Sequence, residues 1–529
     1  MKRKILLLLL IPLLGGCEFL NLDPKDPVGE REGVATLNVY SFNDYHGAIT
    51  GDLKLEVLGS FIKEKTADNK NIVLDIGDTW QGSIESNWNK GKCITDVFNE
   101  AHLTARVIGN HDFDWGQETL RLRTADSYNN YTTPVLGANV YDYNFDTKTI
   151  GNTHQTSLCQ EYLICTGDKG LKVGIIGTIG SDQITSICTQ MVQNVHFTDH
   201  LETTKRLSDY LRKEEKCDVI IGACHSGINT MKENNRYVLS EISPQTHKKY
   251  CDLVLLGHTH SDTHKVINGV LYSESSSRGQ MMTLTTLKYD FATGTLSYDN
   301  PTYSTYQGSS LSNQISGVDS TINNIVNQYK QECSAIADEN IKTKVSGNWY
   351  SSEQLPNLLC ESIYYTAKEY LTKKSSQYAD LLGYSYCNLA RSSLYSSSWT
   401  YGDIYKAFPF DNEVYIMKVT GERMFNEVKL YNNIFRMDKS AIEYSGTYYV
   451  AVIDYLALHC NDSREYDYFR NCEIIDVVKK EDNSTYTYRD ILCDYLKATD
   501  QNETIYASTY SNNNKHFDRD LMDREITSW

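Results

Sequence analysis

Ala105-Arg-Val-Ile-Gly-Asn-His-Asp-Phe-Asp114 is a short apolar run, then a glycine, then a group of polar side chains. The run has the length and composition of a buried strand, and the glycine permits the tight turn that ends it. The polar group brings amide, imidazole and carboxylate chemistry to a strand's carboxyl end. The chain repeats this design four more times. Val34–Phe42 leads into Asn43-Asp-Tyr-His46, Ile72–Ile76 into Gly77-Asp78, Val219–Ala223 into Cys224-His225, and Leu253–Leu256 into Gly257-His-Thr-His260. Val135–Ala138 and Leu171–Ile176 read as further strands. Strand, polar loop and helix in alternation is the pattern of an α/β layered domain. Ligands of such folds gather at the carboxyl ends of the strands. Val270–Tyr272 and Met281–Tyr289 are expected as antiparallel strands closing the domain.

Together the five motifs supply Asp44, His46, Asp78, Asn110, His225, His258 and His260 as candidate metal ligands, with His111 beside them. Two divalent ions ~3.5–4 Å apart need a shared carboxylate and about three further ligands each. This set meets that need without surplus. It mixes nitrogen and oxygen with no thiolate, which suits Zn, Mn, Fe or similar ions and not a structural zinc finger. In Asp44-x-His46 and His258-x-His260 the paired side chains leave a strand end one residue apart, so both can face one centre. One Asp-x-His or Gly-Asp alone is usually a turn. Five motifs in this order, each behind an apolar run, describe a site. The other histidines (His102, His154, His196, His200, His247, His264, His459 and His516) lack that setting and read as surface or core residues.

The 529 residues exceed one ordinary core and point to two domains. A hydrophobic content of 40% with 22% charged residues fits a packed chain, not a disordered tract. The formal net charge of -17 sets the surface against nucleic-acid polymers. A small phosphorylated ligand stays open, because bound cations would govern the local field. The first domain is expected over 35–309. Ile315, Val318, Ile322, Ile325, Val326 and Tyr329 recur at helical spacing and predict a connecting helix over 310–340. A second, α+β domain is expected over 341–529, with a helix at Glu353–Thr372 and strands at Asn412–Val419 and Tyr448–Ile453.

The N-terminus carries the basic stretch Met1-Lys-Arg-Lys4, the apolar stretch Ile5–Leu14, and then Leu14-Gly-Gly-Cys17. The apolar run is too short to span a bilayer of ~30 Å. The pattern resembles a bacterial lipoprotein signal, with Cys17 as the lipidated residue. That makes 1–17 a signal peptide and 18–34 a tether. The rest is expected outside the cytoplasm, held to a bacterial membrane by the lipid. Of the 14 cysteines, Cys460 and Cys472 form a local disulfide candidate. Cys224 and Cys251 lie in apolar runs and read as buried thiols.

The five motifs resemble those of the calcineurin-like metallophosphoesterases, and their order is most similar to that of the bacterial 5′-nucleotidase family. The resemblance is strong in the first domain and weaker in the second. It implies a four-layer α/β/β/α metallophosphoesterase domain, a connecting helix and an α+β nucleotidase-like domain. It implies that Asp44, His46, Asp78 and His260 hold one metal and that Asp78, Asn110, His225 and His258 hold the other, with Asp78 bridging. His111 and Asp114 match the family's catalytic pair. There His111 would stabilise the transferring phosphoryl group or the leaving oxygen, and Asp114 would orient and charge it. The implied chemistry is phosphate-ester hydrolysis, with water activated by the two metals and attacking phosphorus in line.

The family's second domain supplies a nucleoside pocket. Here Ala407-Phe-Pro-Phe-Asp-Asn412 places Phe410, and Asp454-Tyr-Leu-Ala457 places Tyr455, at the two aromatics that sandwich a base. Arg391 stands at the phosphate-binding arginine, in Tyr386-Cys-Asn-Leu-Ala-Arg391. That loop lacks both of the family's glycines, as does Leu458-His-Cys-Asn461-Asp462. Losing glycine changes loop shape where backbone approaches a ligand. Nucleoside 5′-monophosphates are the leading expected substrates. The altered loops leave 2′,3′-cyclic nucleotides and nucleotide sugars as alternatives. A non-catalytic surface-binding lipoprotein is the rival outside enzymes, and the full ligand set argues against it.

Overall fold

The computed structural model describes residues 31–144, 146–154, 157–386, 389–424, 443–458, 469 and 472–511. Cys17 and Cys460 lie outside these residues, as do His459, Asn461 and Asp462.

Two sheets face each other in the first part of the chain. In one, the strands Val34–Phe42, Asn71–Asp75, Ala105–Val107 and Val135–Leu136 run parallel, and Met281–Asp290 lies antiparallel against the first of them. In the other, Lys172–Ile179, Val219–His225, Leu253–Leu256 and Val270–Ser275 run parallel between two antiparallel edges, Tyr162–Thr166 and Asp262–Ile267. Alternate residues of each strand fill the space between the sheets: Leu37 and Val39, Ile72 and Leu74, Val173 and Ile175, Val219 and Ile221. The two-residue side-chain period of a strand produces this.

The opposite faces are also buried. Phe42 and Val73 pack under the helices Leu55–Thr66, Lys92–Glu100 and Ser320–Ala337 through Phe61, Phe98 and Ile322. Ile220 and Val254 pack under the helix His200–Lys213 through Leu207 and Leu211. The result is a four-layer α/β/β/α arrangement. Strands buried on both faces read as continuous apolar runs, which is why they are visible in the sequence. Met281–Asp290 is antiparallel as expected, but the other closing strand differs in part: Val270–Ser275 belongs to the second sheet, antiparallel to Asp262–Ile267 on one side and parallel to Leu253–Leu256 on the other.

The connecting helix begins later than its periodicity suggests. Gly308–Gln314 is a 3₁₀ turn, and the helix spans Ser320–Ala337. Asp319 caps it by accepting from the backbone N–H groups of Thr321 and Ile322, so Ile315 and Val318 precede the helix. Its first half is buried in the first part's core through Ile322, Ile325 and Val326. Its far end, Cys333 and Ile336, packs with Tyr401 and Tyr405 of the second part.

The second part is built on four strands, ordered Leu382–Tyr386, Thr447–Ile453, Val414–Thr420 and Glu473–Val477, under the helices Gln354–Lys373 and Tyr488–Ala498. Its core is separate and centres on Leu358, Ile363, Ile416, Val450 and Leu492, with Trp349 and Trp399 edge to face at a centroid distance of 4.9 Å. Asn87 Nδ2 donates to the carbonyl of Pro409 at 3.0 Å, and the Tyr455 hydroxyl donates to the carbonyl of Thr185 at 3.3 Å. These contacts bring the loop carrying Phe410 and the short helix Asp454–Ala457 carrying Tyr455 over the strand ends of the first part. Among the described residues, no helix is long and apolar enough to cross a membrane.

Candidate metal centre

All five motifs end at one place. Asp44, His46 and His260 form one group of candidate ligand atoms and Asp78, His225 and His258 a second, with the atoms of each group within 4.8 Å of one another. Asp78 Oδ2 lies 3.2 Å from His225 Nε2 and 3.9 Å from His46 Nε2, so one carboxylate oxygen faces both groups. Asn110 Oδ1 sits 3.0 Å from His258 Nδ1, at the edge of the second group.

The backbone is shaped for this convergence. Asp44, His46, Asp78, His258 and His260 have φ of 50°, 49°, 54°, 74° and 54°. This left-handed region is uncommon for residues with a Cβ, and each instance costs of order 1–3 kcal/mol. Five of seven candidate ligands share it, because a strand end must turn sharply to aim its side chain at a common centre. Gly109 leaves room for the same reason: a Cβ there would stand 2.2 Å from Asp78 Oδ1.

The imidazoles are held in one orientation. His46 Nδ1 donates to the carbonyl of Gln81 at 2.9 Å, and His225 Nδ1 donates to the carbonyl of Ile76 at 2.7 Å. Each bond leaves Nε2 with a lone pair facing the centre, as metal-ligating histidines require. Burial lowers His46 to about 3 and His258 to about 4, so both are neutral and able to ligate. His46 Nε2 and His260 Nε2 are 3.0 Å apart.

These residues fit a pair of divalent ions. Asp44 Oδ1 and His225 Nε2 are buried without a hydrogen-bond partner among the described residues. Asp78 Oδ2 and His225 Nε2, 3.2 Å apart, are placed to share a proton or a metal cation. The local field agrees. Burial alone would lower His225, but the carboxylates of Asp78 and Asp44 outweigh it and raise the ring to about 10. Burial likewise pushes Asp78 up, yet His225 and His111 hold it well below the usual carboxylate range. The pocket calls for positive charge at its centre. Nitrogen and oxygen donors without sulfur suit Zn, Mn or similar ions.

His111 stands beside the ligands. Its Nδ1 pairs with Asp114 Oδ2 at 2.8 Å, and its backbone N–H donates to Asp78 Oδ1 at 2.8 Å. Burial would lower its pKa, but the Asp114 carboxylate prevails and raises it. Its Nε2 faces Arg391 Nη2 at 3.2 Å, and its ring stacks on Phe410 at a centroid distance of 5.6 Å. Asp78, Asn110, His111, Asp114, His258 and His260 form the floor of a cavity of about 600 Å³. Arg391, Phe410 and Tyr455 line its opposite wall.

Comparisons with known proteins agree with this geometry. Residues 37–262 match the model of the calcineurin-like phosphoesterase family. These residues form a calcineurin-like phosphoesterase domain. Among relatives, the trifunctional nucleotide phosphoesterase YfkN of Bacillus subtilis is 23% identical over 439 residues, covering 76% of this chain and 28% of the relative. A 5′-nucleotidase of Vibrio cholerae is 26% identical over 236 residues, covering 42% of this chain and 39% of the relative. The chain thus spans well under half the length of these curated relatives. The 5′-nucleotidase precursor of Thermus thermophilus superposes with a TM-score of 0.67 at 17% identity, over 89% of this chain and 97% of that one. At that identity the likeness is one of fold.

The phosphoesterase domain also holds supports that lie outside the five motifs. Glu274 is fully buried and accepts from the Thr259 hydroxyl at 2.6 Å, the Ser261 hydroxyl at 2.7 Å and the Ser261 N–H at 3.2 Å. It thereby clamps both neighbours of His260. Arg106 pairs with Asp112 at 2.6 Å under the loop that presents Asn110 and His111, and its guanidinium lies 3.8 Å over the ring of Trp80. The sequence carries a signal for Arg106: a charged residue inside the strand-like apolar run Ala105–Ile108 must have a partner when buried. Cys224 and Cys251 are buried, and burial pushes the Cys224 thiol up to about 12.

Proposed function

We propose that this protein is an extracytoplasmic, metal-dependent phosphoric ester hydrolase, a 5′-nucleotidase that releases nucleoside and phosphate from nucleoside 5′-monophosphates. The observation that carries the reading is the cavity. Members of both His/Asp groups line its floor, His260 from one and Asp78 and His258 from the other, and Arg391, Phe410 and Tyr455 line the wall opposite. Relatives named as nucleotide phosphoesterase and 5′-nucleotidase support the nucleotide part.

Asp44, His46, Asp78 and His260 would hold one divalent ion, and Asp78, Asn110, His225 and His258 the other. Bound there, the pair supplies Lewis-acid charge and an acidified water to the phosphate. The chain's own groups do the rest. Asp114 fixes the His111 ring and raises its hold on a proton, so that Nε2 would offer that proton to the phosphoryl oxygens or the leaving oxygen. Arg391 binds a phosphate oxygen. It faces His111 across 3.2 Å, and an anion between the two donors would relieve their repulsion. Phe410 and Tyr455 stack the base, which places the ester over the floor.

The altered loops before Arg391 and after Tyr455 keep 2′,3′-cyclic nucleotides and nucleotide sugars as second substrates. A panel of nucleoside monophosphates, cyclic nucleotides and nucleotide sugars, with added Mn²⁺ or Zn²⁺, tests the assignment. Phosphate release from monophosphates above that of an Asp78→Ala control supports it. Turnover equal to the control on every substrate would sink it and leave a binding lipoprotein. The proposed lipid at Cys17 is checked separately: fatty-acid labelling in cells should vanish in Cys17→Ser.

A further inference from the structure

Arg489 belongs to none of the motifs, and it is buried in the first turn of the helix Tyr488–Ala498. Burying a guanidinium is costly unless its donors are bonded and its charge is paired. Here the bonds converge on one short loop. Arg489 Nη1 donates to the carbonyls of Phe408 at 3.1 Å and Phe410 at 2.8 Å. Its Nη2 donates to Asp411 Oδ1 at 2.7 Å. The guanidinium is a rigid planar fork, so acceptors bound to it are fixed relative to one another. The helix start adds a backbone tie: the Tyr488 N–H donates to the Asn412 carbonyl at 2.8 Å. Residues 408–412 are thus held to the first turn of one helix.

The guanidinium also meets the connector between the two parts. It lies 3.8 Å over the ring of Tyr405, and its Nε donates to the Tyr401 hydroxyl at 3.2 Å. Both tyrosines belong to the helix Tyr401–Ala407 and pack with Cys333 and Ile336 at the far end of the helix Ser320–Ala337. Arg489 therefore joins the connector's end to the loop of Phe410. That loop presents its ring to the cavity, 5.6 Å from the His111 ring and 5.4 Å from the Arg391 guanidinium. A buried arginine needs partners, but nothing requires three of them to lie on the one loop whose ring faces His111.

We propose that Arg489 is a positioning residue: it fixes the Phe410 loop to the connector's end and so sets the ring against which a base stacks. This rests on the nucleotide reading of the site. It makes a side chain behind the cavity wall a determinant of nucleotide affinity, and it separates affinity from chemistry on the floor.

The test uses the full chain with defined Mn²⁺ as wild type, Arg489→Gln, Arg489→Lys and Asp411→Ala. AMP and p-nitrophenyl phosphate are compared as substrates, and adenosine binding is measured by calorimetry. Arg489→Gln should raise KM for AMP about ten-fold with kcat little changed, the scale of one lost stacking ring. Adenosine binding should weaken alongside, while p-nitrophenyl phosphate, which has no base to stack, should change far less. Arg489→Lys should recover part of the loss. The Asp411 side chain is half exposed, so Asp411→Ala removes one of the loop's bonds without opening the core. It should weaken adenosine binding in the same direction by a smaller factor. Adenosine carries no charge, so the lost carboxylate does not confuse the reading. If Arg489→Gln does not fold, Asp411→Ala decides, and adenosine binding equal to wild type overturns the proposal. Equal losses on AMP and p-nitrophenyl phosphate also overturn it and leave Arg489 a role in the fold alone. If wild type neither hydrolyses AMP nor binds adenosine, the nucleotide reading falls and this role with it. Wild-type binding that every variant keeps overturns the role alone.

Discussion

The two walls of the cavity are built by different rules. The floor, from the phosphoesterase domain, places its candidate ligands at or just after the ends of buried strands, most of them in a sharp left-handed turn, with further bonds fixing the rings of His46 and His225. Its geometry is local: Asp44-x-His46 and His258-x-His260 carry most of their own instructions. The opposite wall takes Arg391 and Phe410 from two loops and Tyr455 from the short helix Asp454–Ala457 of another core, and their places depend on how that core sits over the strand ends.

That contrast can be broken by substitution, and the largest effect belongs to the floor. Asp78→Ala removes the carboxylate that faces both groups. Phosphate-ester turnover should fall roughly 1,000-fold or more, with bound metal lost as well. Retained metal and retained turnover would refute the bridging role. His111→Ala should lower kcat by about 100-fold or more while leaving metal content intact, since the ring acts on the substrate and not on the ions. If metal is lost too, His111 belongs to the ligand set.

Glu274→Ala tests whether support behind the floor matters. Freeing Thr259 and Ser261 should weaken metal affinity about 10- to 100-fold, as loss of an outer-shell partner typically does. Metal titration reads this directly, and an unchanged affinity would show that the loop holds itself. The smallest effect is expected from the wall. Tyr455→Ala removes one stacking ring, and KM for a nucleoside monophosphate should rise about ten-fold. Turnover of p-nitrophenyl phosphate, which has no base to stack, should change far less. Equal changes on both would mean that Tyr455 serves the fold and not the substrate.

The same contrast explains what the sequence discloses. Leu253–Leu256 reads at its observed boundaries because a strand buried on both faces is apolar throughout, and Val34–Phe42 does so because its buried Ala35, Leu37 and Val39 alternate with less buried residues. The six residues of the two His/Asp groups are readable because each follows such a strand. The start of the connecting helix is misleading in the sequence, since Ile315 and Val318 fit its period while Asp319, by capping, sets its first turn at Ser320. The sheet membership of Val270–Ser275 is invisible there, because pairing is a long-range choice. Glu274 and Arg489 escape a sequence reading for a related reason. Nothing beside them in the chain reveals that one holds the Thr259–Ser261 loop and that the other holds the loop of Phe410.

If the two His/Asp groups each hold a divalent ion, anomalous diffraction from crystals grown with Mn²⁺ will show it most directly. Two peaks about 3.5–4 Å apart are predicted, one among Asp44, His46 and His260 and the other among Asp78, His225 and His258, with Asp78 reaching both. No peak at these residues, or a single ion placed away from Asp78, would contradict the metal centre on which the proposed chemistry depends.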